Sequence, residues 1–130
     1  MPKYGSASKN RLVTSDMRLQ EVFNEVIKHF DCTIVTGYRS EIEQTVNYDA
    51  GRSKVQYPNR KHNSVPSRAV DAAPYPIDWN DRERFTLFAG YVLGIASSRG
   101  IKLRWGGDWD KDTQVNDNSF DDLLHFELVN

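Results

Sequence analysis

The stretch Arg68-Ala69-Val70-Asp71-Ala72-Ala73 reads as a short apolar strand, stopped by Pro74 and Pro76, with one carboxylate at its middle. All of Asp71's neighbours have the character of buried residues. An unpartnered carboxylate in such a place costs several kcal/mol, so Asp71 needs a cation or hydrogen-bond donors. A salt bridge to Arg39 or Arg68 is the simplest answer, and for Asp71 taken alone it is the better one.

Working outward, the polar, proline-containing run from Arg52 to Pro66 is expected to be an irregular loop. Before it, Ser40 and Glu43 form a capping box that opens a helix to about Ala50, closed by Gly51. Thr33-Ile34-Val35-Thr36 is a β-branched strand ended by Gly37. Leu19, Val22, Phe23, Val26, Ile27 and Phe30 recur at helical spacing, which predicts a helix over about 16–30. Residues 1–13 are polar and read as a loose N-terminal arm or a short docking segment. On the other side of Asp71, Asn80 and Glu83 cap a helix with Phe85, Phe88, Ala89, Val92, Leu93 and Ala96 on one face, ended by Gly100. Ile101–Trp105 and Leu124–Val129 are strands, separated by an Asp- and Asn-rich loop over 106–121. The mixture predicts an α+β domain, with a small, mainly antiparallel sheet packed by about three helices.

At 130 residues the chain fits a single domain over 1–130, with enough length for a real core. A hydrophobic share of 38% excludes a disordered or fibrous class, and a formal net charge of -1 gives no global field for nucleic acid or an anionic membrane. The short Lys9-Asn10-Arg11 cluster reads as a solvated terminus. A lone cysteine, Cys32, excludes an internal disulfide and suits a buried structural thiol. No secretory signal and no membrane-spanning run is present, so synthesis and folding in the cytoplasm are expected. No stable membrane association is expected, and a monomer is.

His62 changes the reading of Asp71. It lies nine positions upstream, across a proline-containing turn, so the two can converge. In the last strand His125 and Glu127 share one face, while Phe126 and Leu128 share the other. His29 ends the first long helix, where contact with the helix C-terminus explains it better than a ligand role. Two histidines and one carboxylate, with a fourth position open to water, form the ligand set of a catalytic zinc site, too rich in nitrogen for calcium or magnesium. Such chemistry needs a base, and Asp122, three residues before His125, is the candidate; Asp121 reads as a turn aspartate. Arg39 suits a substrate carboxylate or an oxyanion. Gln44 on the second predicted helix and Trp109 in the loop are further substrate-binding candidates. Arg39 reads equally well as a surface arginine, and Trp109 equally well as a core aromatic.

Gly37-Tyr38-Arg39-Ser40, then Lys61-His62 with Ala69-Val70-Asp71, then Asp122-Leu123-Leu124-His125-Phe126-Glu127 occur in that order. The set resembles the zinc peptidases that include VanY-type D-alanyl-D-alanine carboxypeptidases and phage L-alanyl-D-glutamate endopeptidases. Asp71–Trp79 and Leu103–Trp109 are similar to segments of the phage endolysin branch, and Asp rather than Glu at the base position fits that branch. Arg60 stands where the family often has Ser, and the span from His62 to Asp71 is longer than in the most compact members. The resemblance implies a Hedgehog/D,D-peptidase-like fold, with zinc on His62, Asp71 and His125, Asp122 as general base, and Arg39 on substrate or oxyanion. It also implies the peptidoglycan stem peptide as partner and action on the cell wall once the host membrane is permeabilised. The expected activity is cleavage between L-alanine and D-glutamate. The rivals are a D-alanyl-D-alanine carboxypeptidase and a catalytically inactive zinc-stabilised binding module.

Overall fold

The computed structural model describes residues 2–40, 61–108, 111 and 122–129. In chain order these form α1 (Ser6–Leu12), α2 (Met17–Val26), β1 (Cys32–Thr36), a 3-10 turn (Lys61–Asn63), β2 (Ala69–Pro74), α3 (Arg82–Ser98), β3 (Leu103–Gly106) and β4 (Asp122–Leu128). The strands make one antiparallel sheet in the order β1-β2-β4-β3. The α+β architecture read from the sequence is the one observed. The helix predicted over residues 40–50 lies outside the described residues, as does most of the 106–121 loop.

Strand alternation divides the sheet into two chemically different faces. Val70 and Ala72 of β2, with Phe126 and Leu128 of β4, join Ile34, Leu103 and Trp105 in the hydrophobic core. The helices cover that face. Leu19, Val22, Phe23 and Val26 of α2 are fully buried, as are Phe88 and Val92 of α3. Phe126 is the junction, edge-on to Phe23 at 5.7 Å and to Phe88 at 6.1 Å. Asp71, His125 and Glu127 occupy the opposite face, and they too are buried.

The N-terminal segment is not a loose arm. Residues 6–12 form α1, and Tyr4 and Leu12 enter the core. The reason lies in β1, an edge strand whose outer backbone groups need partners. Ser8 Oγ accepts from the Ile34 N–H at 3.1 Å, and Arg11 donates to the Ile34 carbonyl at 3.1 Å. Polar residues that look solvated in sequence thus satisfy the sheet edge. Cys32 is buried as expected, near the Tyr4 hydroxyl at 3.4 Å, and burial pushes its thiol up to about 11.

Helix ends differ in detail from the sequence reading. The helix expected to reach residue 30 stops at Val26, and 27–30 continue as turns. Glu25 there receives Lys28 at 3.3 Å, and His29 Nε2 lies 2.8 Å from Glu25 Oε2, so His29 at the helix end also has a side-chain partner. The cap of α3 is Asp81, not Asn80: its carboxylate accepts from the Arg84 N–H at 3.1 Å. Gly100, at a φ of 71°, ends α3 as expected.

Candidate metal centre

Three elements bring the site together. Asp71 on β2 and His125 on β4 are direct cross-strand partners, so their side chains leave the same face side by side. The third residue, His62, sits on the 3-10 turn, whose placement depends on backbone contacts. Arg39 N–H donates to the His62 carbonyl at 2.7 Å, and Arg68 N–H to the Lys61 carbonyl at 3.0 Å. Asn63 Nδ2 donates to the Arg39 carbonyl at 2.9 Å, which ties Arg39 to the same turn from its other side.

The geometry is tight. His62 Nε2 and His125 Nδ1 each lie 3.1 Å from the same oxygen, Asp71 Oδ1. Both histidines are fully buried, and Asp71 is 4% exposed. The far nitrogens are already engaged. His62 Nδ1 lies 2.7 Å from the Gly37 carbonyl, and His125 Nε2 lies 2.8 Å from Glu127 Oε1. A carbonyl and a carboxylate only accept, so both ring nitrogens there carry the proton and donate it. His62 Nε2 and His125 Nδ1 are then the nitrogens that face Asp71 Oδ1, each able to ligate a metal once it carries no proton.

Two ring nitrogens and a carboxylate oxygen therefore converge at one point, where a proton or a metal ion can lie between them. One ligand atom from each residue lies within 4.8 Å of the others. A tetrahedral ion with bonds of about 2.0–2.2 Å holds its ligand atoms about 3.3–3.5 Å apart, close to the separations observed. The donor set and its geometry fit a metal ion.

The same neighbours set the charge on Asp71. Burial opposes charge on Asp71, but His62 and His125 outweigh it and hold the carboxyl well below its usual range. The salt bridge expected to Arg39 exists as well: Arg39 Nη2 lies 3.6 Å from Asp71 Oδ2. Asp71 thus meets Arg39 with Oδ2 and the two histidines with Oδ1.

Gly37 shows why the local sequence is constrained. A Cβ there would collide with the Arg11 carbonyl and Thr14 Oγ1, so only glycine lets this backbone pass between α1 and His62. Its carbonyl also accepts from Ser67 Oγ at 3.2 Å. Asp122 opens β4 opposite Gly106, where the register shifts and leaves Leu123–His125 bulged. A Cβ on Gly106 would meet the Asp122 backbone, and Trp105 Nε1 donates to the Leu123 carbonyl at 2.7 Å. Asp122 is part-exposed on the strand that carries His125. Gln44, Trp109 and Asp121 lie outside the described residues.

Sequence reasoning missed the supports. Gly37, Lys61 and Arg104 lie within the family-like segments, but nothing in the sequence marks them as supports of the histidines, whereas Glu127 is visible as the i+2 neighbour on His125's face. Lys61 Nζ lies 3.2 Å and Arg104 Nη2 2.7 Å from Glu127 Oε2. Burial opposes charge on Glu127 too, but His125, Arg104 and Lys61 keep it ionised, well below the usual carboxylate range.

The sequence profile of a family described as phage L-alanyl-D-glutamate peptidase matches residues 1–129. An L-alanyl-D-glutamate peptidase of Escherichia phage T5 is 34% identical over 136 residues, covering 98% of each chain. Among solved structures, the Serratia marcescens L-Ala D-Glu endopeptidase ChiX superposes with a TM-score of 0.75 at 22% identity. That match covers 97% of this chain and 89% of the other, and it establishes the shared fold.

Proposed function

The chain belongs to the phage L-alanyl-D-glutamate peptidase family, and on that premise we propose that it hydrolyses the L-alanyl-D-glutamate bond of the peptidoglycan stem using one zinc ion held by His62, Asp71 and His125. The observation that carries the proposal is the convergence of two imidazole nitrogens on Asp71 Oδ1, each at 3.1 Å. Two nitrogens and one carboxylate oxygen are a catalytic zinc set that leaves a position for water. When bound, zinc supplies the Lewis acidity that polarises a carbonyl and acidifies water.

The protein's own groups do the rest. Asp122 takes the proton from the attacking water as its oxygen bonds to the alanyl carbonyl carbon. As the C–N bond breaks, Asp122 returns that proton to the departing glutamate nitrogen. Arg39 grips the free carboxylate beside the scissile amide. Its backbone is fastened to the turn bearing His62, so a substrate carboxylate held there is fixed relative to the metal ligands. Gln44 and Trp109 extend the substrate contacts in this reading. The site acts on cell wall from a protein made inside the host and released at lysis.

Clearing of purified sacculi tests this. Activity should vanish with a zinc chelator and return on adding zinc. Clearing that persists in fully zinc-depleted protein would contradict the proposal.

A further inference from the structure

We propose that Glu127 is a positioning residue of the metal centre, locked by Lys61 and Arg104 so that it can only accept from His125, and that this fixes the tautomer which offers Nδ1 to the metal. The proposal rests on the metal reading above and adds to it a mechanism for keeping the site ready.

The two oxygens of Glu127 have different partners. Glu127 Oε1 faces His125 Nε2 at 2.8 Å. Oε2 faces two cations, Arg104 Nη2 at 2.7 Å and Lys61 Nζ at 3.2 Å. Lys61 is itself fixed, since its ammonium also donates to the Leu128 carbonyl. Lysine and arginine are donors only, so the side chain at 127 must present an acceptor to them. A carboxylate has a second acceptor left for His125. That holds a ring proton on Nε2, so that Nδ1, 3.1 Å from Asp71 Oδ1, is the nitrogen left to give up its proton and take the metal. Partners of ligating histidines orient the ring in this way, and their loss typically weakens metal binding about 10- to 100-fold.

Glutamine separates this role from simple polarity. Its amide has one oxygen, and Arg104 and Lys61 claim it. The NH2 group then faces His125 Nε2, which must become the acceptor. The ring proton moves to Nδ1, where it donates to Asp71 Oδ1 and occupies the ligand position. E127Q therefore keeps the size of the side chain and inverts the tautomer.

The test reads ring-nitrogen NMR shifts of His125 in metal-free protein, at mildly alkaline pH, beside zinc affinity from chelator competition. Wild type should show a proton on Nε2. E127Q should show Nδ1–H and bind zinc about 10- to 100-fold more weakly. Adding Lys61→Met and Arg104→Met to E127Q frees the amide to rotate and should restore both the tautomer and much of the affinity. That recovery is one a merely structural role for Glu127 does not predict. An Nδ1–H tautomer in wild type overturns the proposal even if E127Q fails to fold. E127Q with wild-type tautomer and affinity also overturns it. A wild-type protein with the Nε2–H tautomer that takes up no zinc overturns instead the metal reading beneath it.

Discussion

Replacing Phe126 by alanine empties the point where α2, α3 and the sheet meet. The side chain is fully buried, with the Phe23 and Phe88 rings edge-on at 5.7 Å and 6.1 Å. Truncation of a buried phenylalanine costs about 3–5 kcal/mol, and each aromatic contact contributes about 0.5–1.5 kcal/mol beyond area. With two such contacts, the upper part of that range applies, about 4–5 kcal/mol. A domain of this kind has a total stability of about 5–15 kcal/mol, so F126A should be folded marginally. Phe126→Leu keeps most of the volume and should lose about 1–3 kcal/mol, the two ring contacts. The assay is urea unfolding of chelator-treated protein, followed by tryptophan fluorescence. Because Phe126 and His125 face opposite sides of β4, zinc at 100 times its dissociation constant should add about 2.7 kcal/mol to wild type and F126A alike. A loss under about 2 kcal/mol for F126A, or F126L costing as much as F126A, would refute this account of the core.

Three further outcomes follow from the site and its surroundings. Asp122→Asn should fold, retain zinc on metal analysis and lose about 100- to 10,000-fold in turnover, the usual cost of removing a general base; near-wild-type turnover would assign that role elsewhere. Arg39→Lys should impair cleavage with zinc content unchanged, because a single ammonium cannot copy the two-bond grip of guanidinium on a carboxylate; unaltered kinetics would make Arg39 purely structural. Cys32, 4% exposed and with its thiol pushed up to about 11, should react with thiol reagents near pH 8 only as fast as the protein opens. Stabilising the fold should slow that labelling, and a rate indifferent to stability would show that the thiol is reached directly.

The parts of the fold legible in the sequence were those where one physical signal dominates. The helical spacing of Leu19, Val22, Phe23 and Val26 reports one buried face, and the alternation around His125 separates an apolar face from a polar one, though in the folded sheet both of the latter are buried. Asp71 was legible because a carboxylate in an apolar strand demands a partner. What sequence did not reveal depends on tertiary pairing. Ser8 and Arg11 look solvated until β1 needs its edge satisfied. Lys61 and Arg104 have no local pattern, and only the folded sheet brings both to Glu127. The choice of Asp81 over Asn80 as cap turned on one residue of register, which propensity cannot decide between two good capping side chains.

The most direct measurement is mass spectrometry of a peptidoglycan digest made with zinc-loaded protein. The account predicts released stem peptides that begin with D-glutamate, and glycan chains that keep lactyl-L-alanine. Both should be absent when His62, Asp71 or His125 is replaced by alanine. Free D-alanine released from otherwise intact stems would contradict the account in favour of a carboxypeptidase, and no release from zinc-loaded protein on several wall types would contradict it in favour of a binding module.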